Sequence, residues 1–326
     1  MFLTSRIPYY RRIFSAYLCA GNSQLTFWHE TPQENPRASM DGLGEYYMLF
    51  AEKANYAGDH DSAGIPMLDY RGQIGRQYNP IAIAQWGLAN FNLYHFSHDS
   101  QAEKKFFASA EWLCANLESN SFGVPVWNHH FDWEYRDTLR APWYSGLAQG
   151  QGISTLLRAA AASGKAHYLD AARRAYEAFL HPTTEGGVMF ADELGDLWIE
   201  EYIVTPPTHI LNGFLWALWG VYDFSLVFPD SNARELFSKC VRTLTRNLAR
   251  YDTGFWSLYE QSGTKLPMLA SAFYHRLHIV QLRITYRLTG ISLFAEVADR
   301  WENYSNSRAG RARAFAYKSV FKLCYY

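Results

Sequence analysis

The chain has 326 residues, of which 48% are hydrophobic and 17% aromatic, including 23 Tyr and 11 Trp. That much apolar surface builds a sizeable core and excludes a disordered chain. With 30 basic and 31 acidic residues the net charge is −1, so no global field favours a nucleic-acid partner.

The N-terminal stretch has Arg6, Arg11 and Arg12 ahead of a short apolar run, Ile13 to Ala20, but no cleavage signature, so it does not read as a signal peptide. No run reaches the length of a membrane span. The cysteines Cys19, Cys114, Cys240 and Cys324 are far apart and show no metal-ligand spacing. Cys114 and Cys240 fall on apolar helix faces, the usual place of a buried free thiol. A chain without a disulfide framework fits a reducing compartment, so a cytoplasmic location is expected. A homodimer is compatible with this composition.

Helical periodicity organises the rest. A helix over Met40 to Asn55 is expected to complete or cap the fold. Then come apolar stripes at Ile81, Ala84, Leu88 and Phe91, and at Phe106, Ala110, Leu113 and Leu117. A second pair is Ile153, Leu156, Leu157 and Ala160, followed by Tyr168, Ala172, Tyr176 and Phe179. The third is Ile210, Phe214, Leu218 and Val221, then Leu236, Cys240, Leu244 and Leu248. The fourth is Leu277, Val280, Ile284 and Leu288, then Phe294, Val297 and Trp301. Aromatic, strand-like stretches separate the pairs at Val124 to Tyr135, Val188 to Tyr202 and Phe255 to Tyr259.

The first helix of each pair carries an amide, at Gln85, Gln149, Asn212 and Gln281, spaced by 64, 63 and 69 residues. A period of this size marks repeat architecture. Hairpins that cannot bury both faces alone can close on one another. The expected fold is mainly α, an (α/α) toroid of helical hairpins with short β-hairpin excursions; an open solenoid is the competing arrangement. Residues 1–60 are assigned to an N-terminal segment and capping helix and 61–305 to the toroid. Residues 306–326 form a basic C-terminal tail with Arg308, Arg311, Arg313 and Lys318, expected to be solvated.

Polar aromatic clusters stand just before the first helices: Gln77-Tyr78-Asn79-Pro80, Pro142-Trp143-Tyr144-Ser145, Glu200-Glu201-Tyr202 and Phe273-Tyr274-His275. Helix N-termini carry unpaired N–H groups and partial positive charge, which would draw an anion such as a sugar carboxylate. Tyr and Trp plugging one end of a ring is the structural alternative. Trp127, Asn128, His129 and His130 either line a groove or form an exposed hairpin. His275 and His278 have the spacing of a metal pair but no third ligand, so no metal is expected.

The segment Trp143-Tyr144-Ser145-Gly146-Leu147-Ala148-Gln149-Gly150-Gln151-Gly152-Ile153-Ser154 resembles the WYSxxAQGQxIS signature of glucuronyl C5-epimerases. Glu200-Glu201-Tyr202, followed by Leu211-Asn212-Gly213-Phe214, resembles that family's EEY…LNGF block. Tyr251-Asp252-Thr253-Gly254 matches YDTG. Tyr274-His275 with His278 and Gln281-Leu282 matches YHxxHIxQL, and Pro80 to Leu88 is similar to PIQIAQYGL. The blocks keep family order from about residue 79 to 305.

The resemblance implies a toroid that inverts C5 of uronic acid residues in an acidic polysaccharide, D-glucuronate to L-iduronate, by removing and returning a proton. It implies Glu201 and Tyr274 as the proton-transfer groups, assisted by Tyr202 and Tyr259. A carboxylate among Trp198 and Tyr202 would be a stronger base for being desolvated. A tyrosine ordinarily titrates near about 10, which suits Tyr274 to proton donation. Tyr78, Asn79, Gln85, Trp143, Tyr144, Gln149, Gln151, Asn212, His275, Arg276 and His278 are the candidate substrate-binding residues. For Gln149, Gln151 and Asn212 a structural role tying helix ends together is the equal alternative.

The chemistry needs no nucleophile, metal or redox cofactor. The chain departs from the family where an arginine is expected three residues after Tyr259, since Ser262 stands there, and where Asn79 replaces a tyrosine. The carboxylate clamp would then fall to Lys265, Arg276 or Arg76. The competing functions are a polysaccharide lyase or uronyl hydrolase on the same toroid, and a non-catalytic acidic-polysaccharide-binding protein.

Overall fold

A computed structural model describes residues 27–70, 73–136 and 138–325. Arg6, Arg11, Arg12, the run Ile13 to Ala20 and Cys19 lie outside the described residues. The chain divides into a larger compact unit, residues 35–209 and 213–243, and a smaller one that includes 210–212 and everything from 244 onward.

Described in chain order, the helices are α1 (Pro80–Ser97), α2 (Ser100–Ala115), α3 (Gly146–Ser163), α4 (Ala166–Tyr176), α5 (Leu211–Val227) and α6 (Ala233–Asn247). They continue with α7 (Ala272–Thr289), α8 (Ser292–Asn306) and α9 (Arg308–Tyr325). The eight helices expected from periodicity are α1 to α8, joined as four hairpins. The mainly helical class, with short antiparallel strand pairs between hairpins, is what the residues build.

Within the larger unit the two helices of each hairpin differ. In α1 every residue from Pro80 to Asn92 is buried, and in α3 every residue from Gly146 to Ala160. A helix buried on all sides belongs to an interior. In α2 only Ala102, Phe106, Ser109, Ala110 and Leu113 are buried, one stripe at helical spacing. Between α3 and α5 the backbones touch: a Cβ on Gly150 would lie 2.5 Å from Ala217 Cα, and one on Gly220 would lie 2.2 Å from Gly150 O. Only glycine allows that approach.

Among the described residues, four two-stranded antiparallel ladders fill the connections. They pair β1 (Leu68–Asp69) with β2 (Arg76–Gln77) and β3 (Glu118–Ser119) with β4 (Pro125–Val126). They also pair β5 (Trp133–Glu134) with β6 (Thr138–Leu139) and β7 (Met189–Ala191) with β8 (Leu197–Ile199). In the last, Phe190 stands opposite Trp198. The strand-like stretch Phe255 to Tyr259 forms only isolated bridges, Asp252 to Ser257 and Leu258 to Leu269.

The helix expected over Met40 to Asn55 is reduced to one turn, Ala51–Ala54. Tyr46, Tyr47, Met48 and Phe50 are all buried, so the segment is covered on more than one face. Its backbone finds partners outside a helical ladder: Tyr46 N–H donates to Asn92 Oδ1 at 2.6 Å and Asn92 Nδ2 donates to Met48 O at 2.8 Å. Phe50 adopts φ 51°, left-handed, which ends any helix running through it.

In the smaller unit α7 and α8 form a hairpin, and the solvated tail expected after residue 305 is instead helix α9. Ala314 and Phe321 are buried, and the buried Lys318 ammonium donates to Leu269 O at 2.5 Å. Cys114, Cys240 and Cys324 are free thiols; burial pushes Cys114 and Cys240 up to about 12, so neither ionises near neutrality. Among the described residues no helix is long and apolar enough to cross a membrane.

Candidate active site

The larger unit carries Glu201 on the turn after β8. The α3 N-terminus packs on that turn: Gly146 N–H donates to Glu200 O at 3.0 Å, and a Cβ on Gly146 would reach that oxygen at 2.5 Å. Glu201 itself is 5% exposed. Its carboxylate lies against the first turn of α5, where a Cβ on Gly213 would meet Glu201 Oε2 at 2.1 Å and Glu201 Cβ at 2.6 Å. Two glycines thus shape the seat of one buried acid.

Beside it, Glu200 grips the end of the connecting loop. Its Oε1 accepts from His209 Nδ1 at 2.5 Å and its Oε2 from His209 N–H at 3.1 Å. The His209 ring stacks on Trp198 with centroids 4.2 Å apart. This clamp holds His209 at φ 48°, a left-handed turn uncommon outside glycine, immediately before α5. Glu200 and His209 were not among the sequence candidates. The doubled acid of Glu200-Glu201 was the only signal for them.

Tyr202 is half-buried within an aromatic cluster. Trp143 meets it edge-on at 5.6 Å and Tyr135 lies at 4.7 Å. Trp143 is pinned by its indole N–H to Phe131 O at 2.8 Å and by a parallel stack on His129 at 3.7 Å. Trp127 and His129 are therefore interior residues; of that quartet only His130 is exposed, bonded to Glu118 at 2.7 Å.

The expected anion-attracting helix N-termini are largely occupied by the chain's own side chains. Asn79 Oδ1 accepts from Ile81 N–H and Ala82 N–H at α1, and Ser145 Oγ accepts from Leu147 N–H and Ala148 N–H at α3. Ser271 Oγ accepts from Tyr274 N–H at α7. N-caps of this kind satisfy the orphan donors that would have held a carboxylate. Asn79 also donates to Tyr70 Oη at 2.7 Å, and the Tyr78 hydroxyl donates to Asp61 Oδ2 at 2.7 Å. Tyr144 is half-buried with its hydroxyl 3.4 Å from Gly187 O, and burial pushes it up to about 12.

The repeating amides act as ties. Gln149 accepts from Trp127 N–H at 2.9 Å and donates to Pro125 O and Ala175 O at 3.2 and 2.9 Å, so its side chain is consumed by backbone. Gln85 donates to Gln151 Oε1 at 3.0 Å, joining α1 to α3. In the smaller unit Gln281 donates to Asn212 O at 3.0 Å.

That smaller unit brings Tyr259 and Tyr274 together edge-to-face, centroids 4.9 Å apart. Tyr259 is fixed by backbone: its O accepts from Leu211 N–H at 3.2 Å and its N–H donates to Met268 O at 2.8 Å. Tyr274 is half-buried on the first turn of α7. Arg276, two residues on, projects from a different face of the helix. Of the remaining cations, Arg76, in the larger unit, is engaged by Asp59 at 2.9 Å, and Lys265 is exposed. Ser262, in the place of the missing arginine, has its Oγ 3.3 Å from Thr264 Oγ1.

His275 and His278 both turn Nδ1 onto Ser257 Oγ, at 2.8 and 3.0 Å. Ser257 N–H also donates to His275 Nδ1 at 3.2 Å, so that nitrogen is the acceptor and Nε2–H donates to Trp301 O at 3.0 Å. Both rings are buried, and this is a packing knot between α7, the Trp256 loop and α8.

Burial holds His129 and His275 down at about 3. Below their ordinary value, near about 6.5, the unfolded chain takes up protons that the folded chain refuses. Their stabilising share is therefore complete above about pH 6.5 and is lost as pH falls toward 3. Thermal unfolding should show a midpoint falling across that window, and His275→Gln should flatten the dependence. A slope identical in the variant would show that His275 contributes nothing to it.

The family model for the D-glucuronyl C5-epimerase C-terminus matches residues 120–303, more than half of the chain and inclusive of Glu201, Tyr202, Tyr259 and Tyr274. The chain belongs to the D-glucuronyl C5-epimerase C-terminal family. A D-glucuronyl C5-epimerase of Caenorhabditis elegans is 33% identical over 227 residues, covering 65% of this chain and 36% of that protein. An uncharacterized protein of Methanocaldococcus jannaschii is 27% identical over 205 residues, covering 62% of each. The chain thus spans less than two thirds of the length of either relative. Among solved structures, a family 76 glycoside hydrolase from a bovine Bacteroides thetaiotaomicron strain is similar with a TM-score of 0.49 and 13% identity, covering 73% of this chain and 50% of that one. The epimerase family match begins downstream of the Pro80 to Leu88 block.

Proposed function

We propose that this protein is a polysaccharide uronic acid C5-epimerase that converts D-glucuronate to L-iduronate residues by proton abstraction and re-addition at C5. The observation that carries the reading is a buried carboxylate, Glu201, seated against Gly213 in a chain of the C5-epimerase family.

Removing the C5 proton leaves a carbanion delocalised into the adjoining carboxylate, so charge develops on those oxygens and donors aimed there lower the barrier. Two acid/base groups serve the two faces of the sugar. The resemblance gives the two roles to Glu201, a carboxylate that takes the proton, and to Tyr274, a phenol that returns one. Tyr202 and Tyr259 offer hydroxyl donors to the developing charge. The aromatic cluster around Tyr202 excludes water and offers apolar faces to a pyranose.

Gly213→Ala tests the seat of the acid. A methyl group there would overlap the Glu201 carboxylate and Cβ, and displacing a catalytic group by about 1 Å costs on the order of 10²-fold. The expected result is a comparable fall in turnover. Activity equal to the unsubstituted chain would show that the position of Glu201 does not matter.

Product analysis separates the epimerase from a lyase, which shares the first step but then expels the C4 substituent. Incubation with a glucuronate polymer should yield iduronate with chain length unchanged and no ultraviolet-absorbing unsaturated uronate. Shortened, unsaturated products would establish the lyase instead.

A further inference from the structure

The larger unit contains a cavity of about 450 Å³ beside the aromatic cluster, lined by residues that lead into α3, from Thr138 to Tyr144, and by residues that follow the Glu201 turn, from Ile203 to Thr205. Its walls include Pro142, Trp143, Ile203 and Val204, with Thr138, Arg140, Tyr144 and Thr205 as members that carry polar groups. That volume falls within the roughly 300–1,000 Å³ of small-molecule sites, which combine apolar walls with a few placed polar groups. Residues 203–205 continue directly from Tyr202, and Trp143 is the residue edge-on to Tyr202 at 5.6 Å. The cavity therefore adjoins one candidate catalytic residue while containing none.

Arg140 is exposed but oriented. Its Nη1 donates to Asp132 Oδ2 at 2.5 Å, and Asp132 Oδ1 accepts from Ala141 N–H at 2.9 Å. The Ala141 N–H and then the Arg140 guanidinium keep the Asp132 carboxyl below the usual carboxylate range, so that carboxylate stays charged at neutral pH. A guanidinium has five N–H donors, and one carboxylate oxygen does not consume them. Arginine matches a carboxylate in plane and charge.

The geometry points to this cavity as a subsite for a second pyranose of an acidic polysaccharide, its C–H face on Pro142, Ile203 and Val204 and its carboxylate on Arg140. The identification of the polymer as uronate-bearing rests on the function proposed above. The subsite adds chain recognition away from the reacting sugar, where binding energy improves capture without altering the proton-transfer groups.

The test is binding of a glucuronate-containing polysaccharide to the full chain by titration calorimetry, with deuterium exchange at C5 measured on the same preparations. Arg140→Gln should weaken binding about 10-fold, the scale of a lost hydrogen bond to a charged group. Thr205→Trp, at an exposed position, should block the cavity and weaken binding at least as much while leaving Arg140 in place. Unfolding midpoints equal to that of the unsubstituted chain would show that neither variant acts through misfolding. Equal affinity in both variants, or no binding by the unsubstituted chain, would overturn the subsite. Binding lost in both variants from a chain that never exchanges C5 protons would support the subsite and remove the epimerase reading. Exchange that persists with unaltered affinity in the variants would do the reverse.

Discussion

Glu201→Gln is expected to lower C5 proton exchange by about 10²–10⁴-fold, the range general acid–base groups contribute, without unfolding the protein. Glutamine keeps the shape of the side chain that fits against Gly213 and loses only the ability to take a proton. The neighbouring clamp, Glu200 on His209, is untouched by the change and continues to hold the turn in place. Polysaccharide affinity should stay within a few-fold of the unsubstituted chain, because the substitution removes a chemical step and leaves the aromatic surroundings intact. A rate reduced less than tenfold would assign the proton abstraction to another group. An equal loss of affinity and rate would make Glu201 a binding residue.

The largest stability effect belongs to a site remote in kind from the chemistry. Arg158 and Asp223 are 0% exposed, with Arg158 Nη1 donating to Asp223 Oδ2 at 2.6 Å. The Tyr47 hydroxyl donates to Asp223 Oδ1 at 2.6 Å, and Arg158 also reaches Gly44 O and Ser154 O at 2.9 and 3.0 Å. These bonds tie the irregular segment around residues 44–47 to α3 and α5. Asp223→Asn leaves a buried guanidinium without its counter-charge. That should cost about 3–5 kcal/mol and lower the melting midpoint on the order of 10 °C. Pairing Asp223→Leu with Arg158→Met should recover part of the loss, since no buried charge is left unpaired, while the Tyr47 hydroxyl and Gly44 O still lose their partners. If Asp223→Asn alone melts with the unsubstituted chain, the pair is not buried in solution.

The periodicity that located α1 to α8 was legible because hairpin packing leaves a regular apolar stripe on each second helix and apolar faces all round α1, α3 and α5. Tertiary context decided the rest. Met40 to Asn55 has the composition of a helix, yet Asn92, 46 residues after Tyr46, takes the backbone bonds that a helix would have made internally. The basic residues after 305 suggested solvation, but Ala314 and Phe321 supply an apolar stripe and Lys318 finds a buried carbonyl. Helix N-termini looked like anion sites because their donors are orphaned in sequence; Asn79, Ser145 and Ser271 satisfy some of them locally. The motif blocks placed Glu201, Tyr202 and Tyr274 in sequence, and the family resemblance between blocks placed Tyr259. What they did not reveal is support: Gly213 acts through the absence of a side chain, and Glu200 through a partner, His209, nine residues away.

The decisive measurement is incubation of the chain with a glucuronate-bearing polysaccharide in deuterated water, followed by NMR at C5. Epimerisation through a carbanion incorporates solvent deuterium at C5 and leaves both configurations in an uncut polymer. A polymer that binds but carries no deuterium at C5 after prolonged incubation would mean that the chain recognises acidic sugars without abstracting their protons.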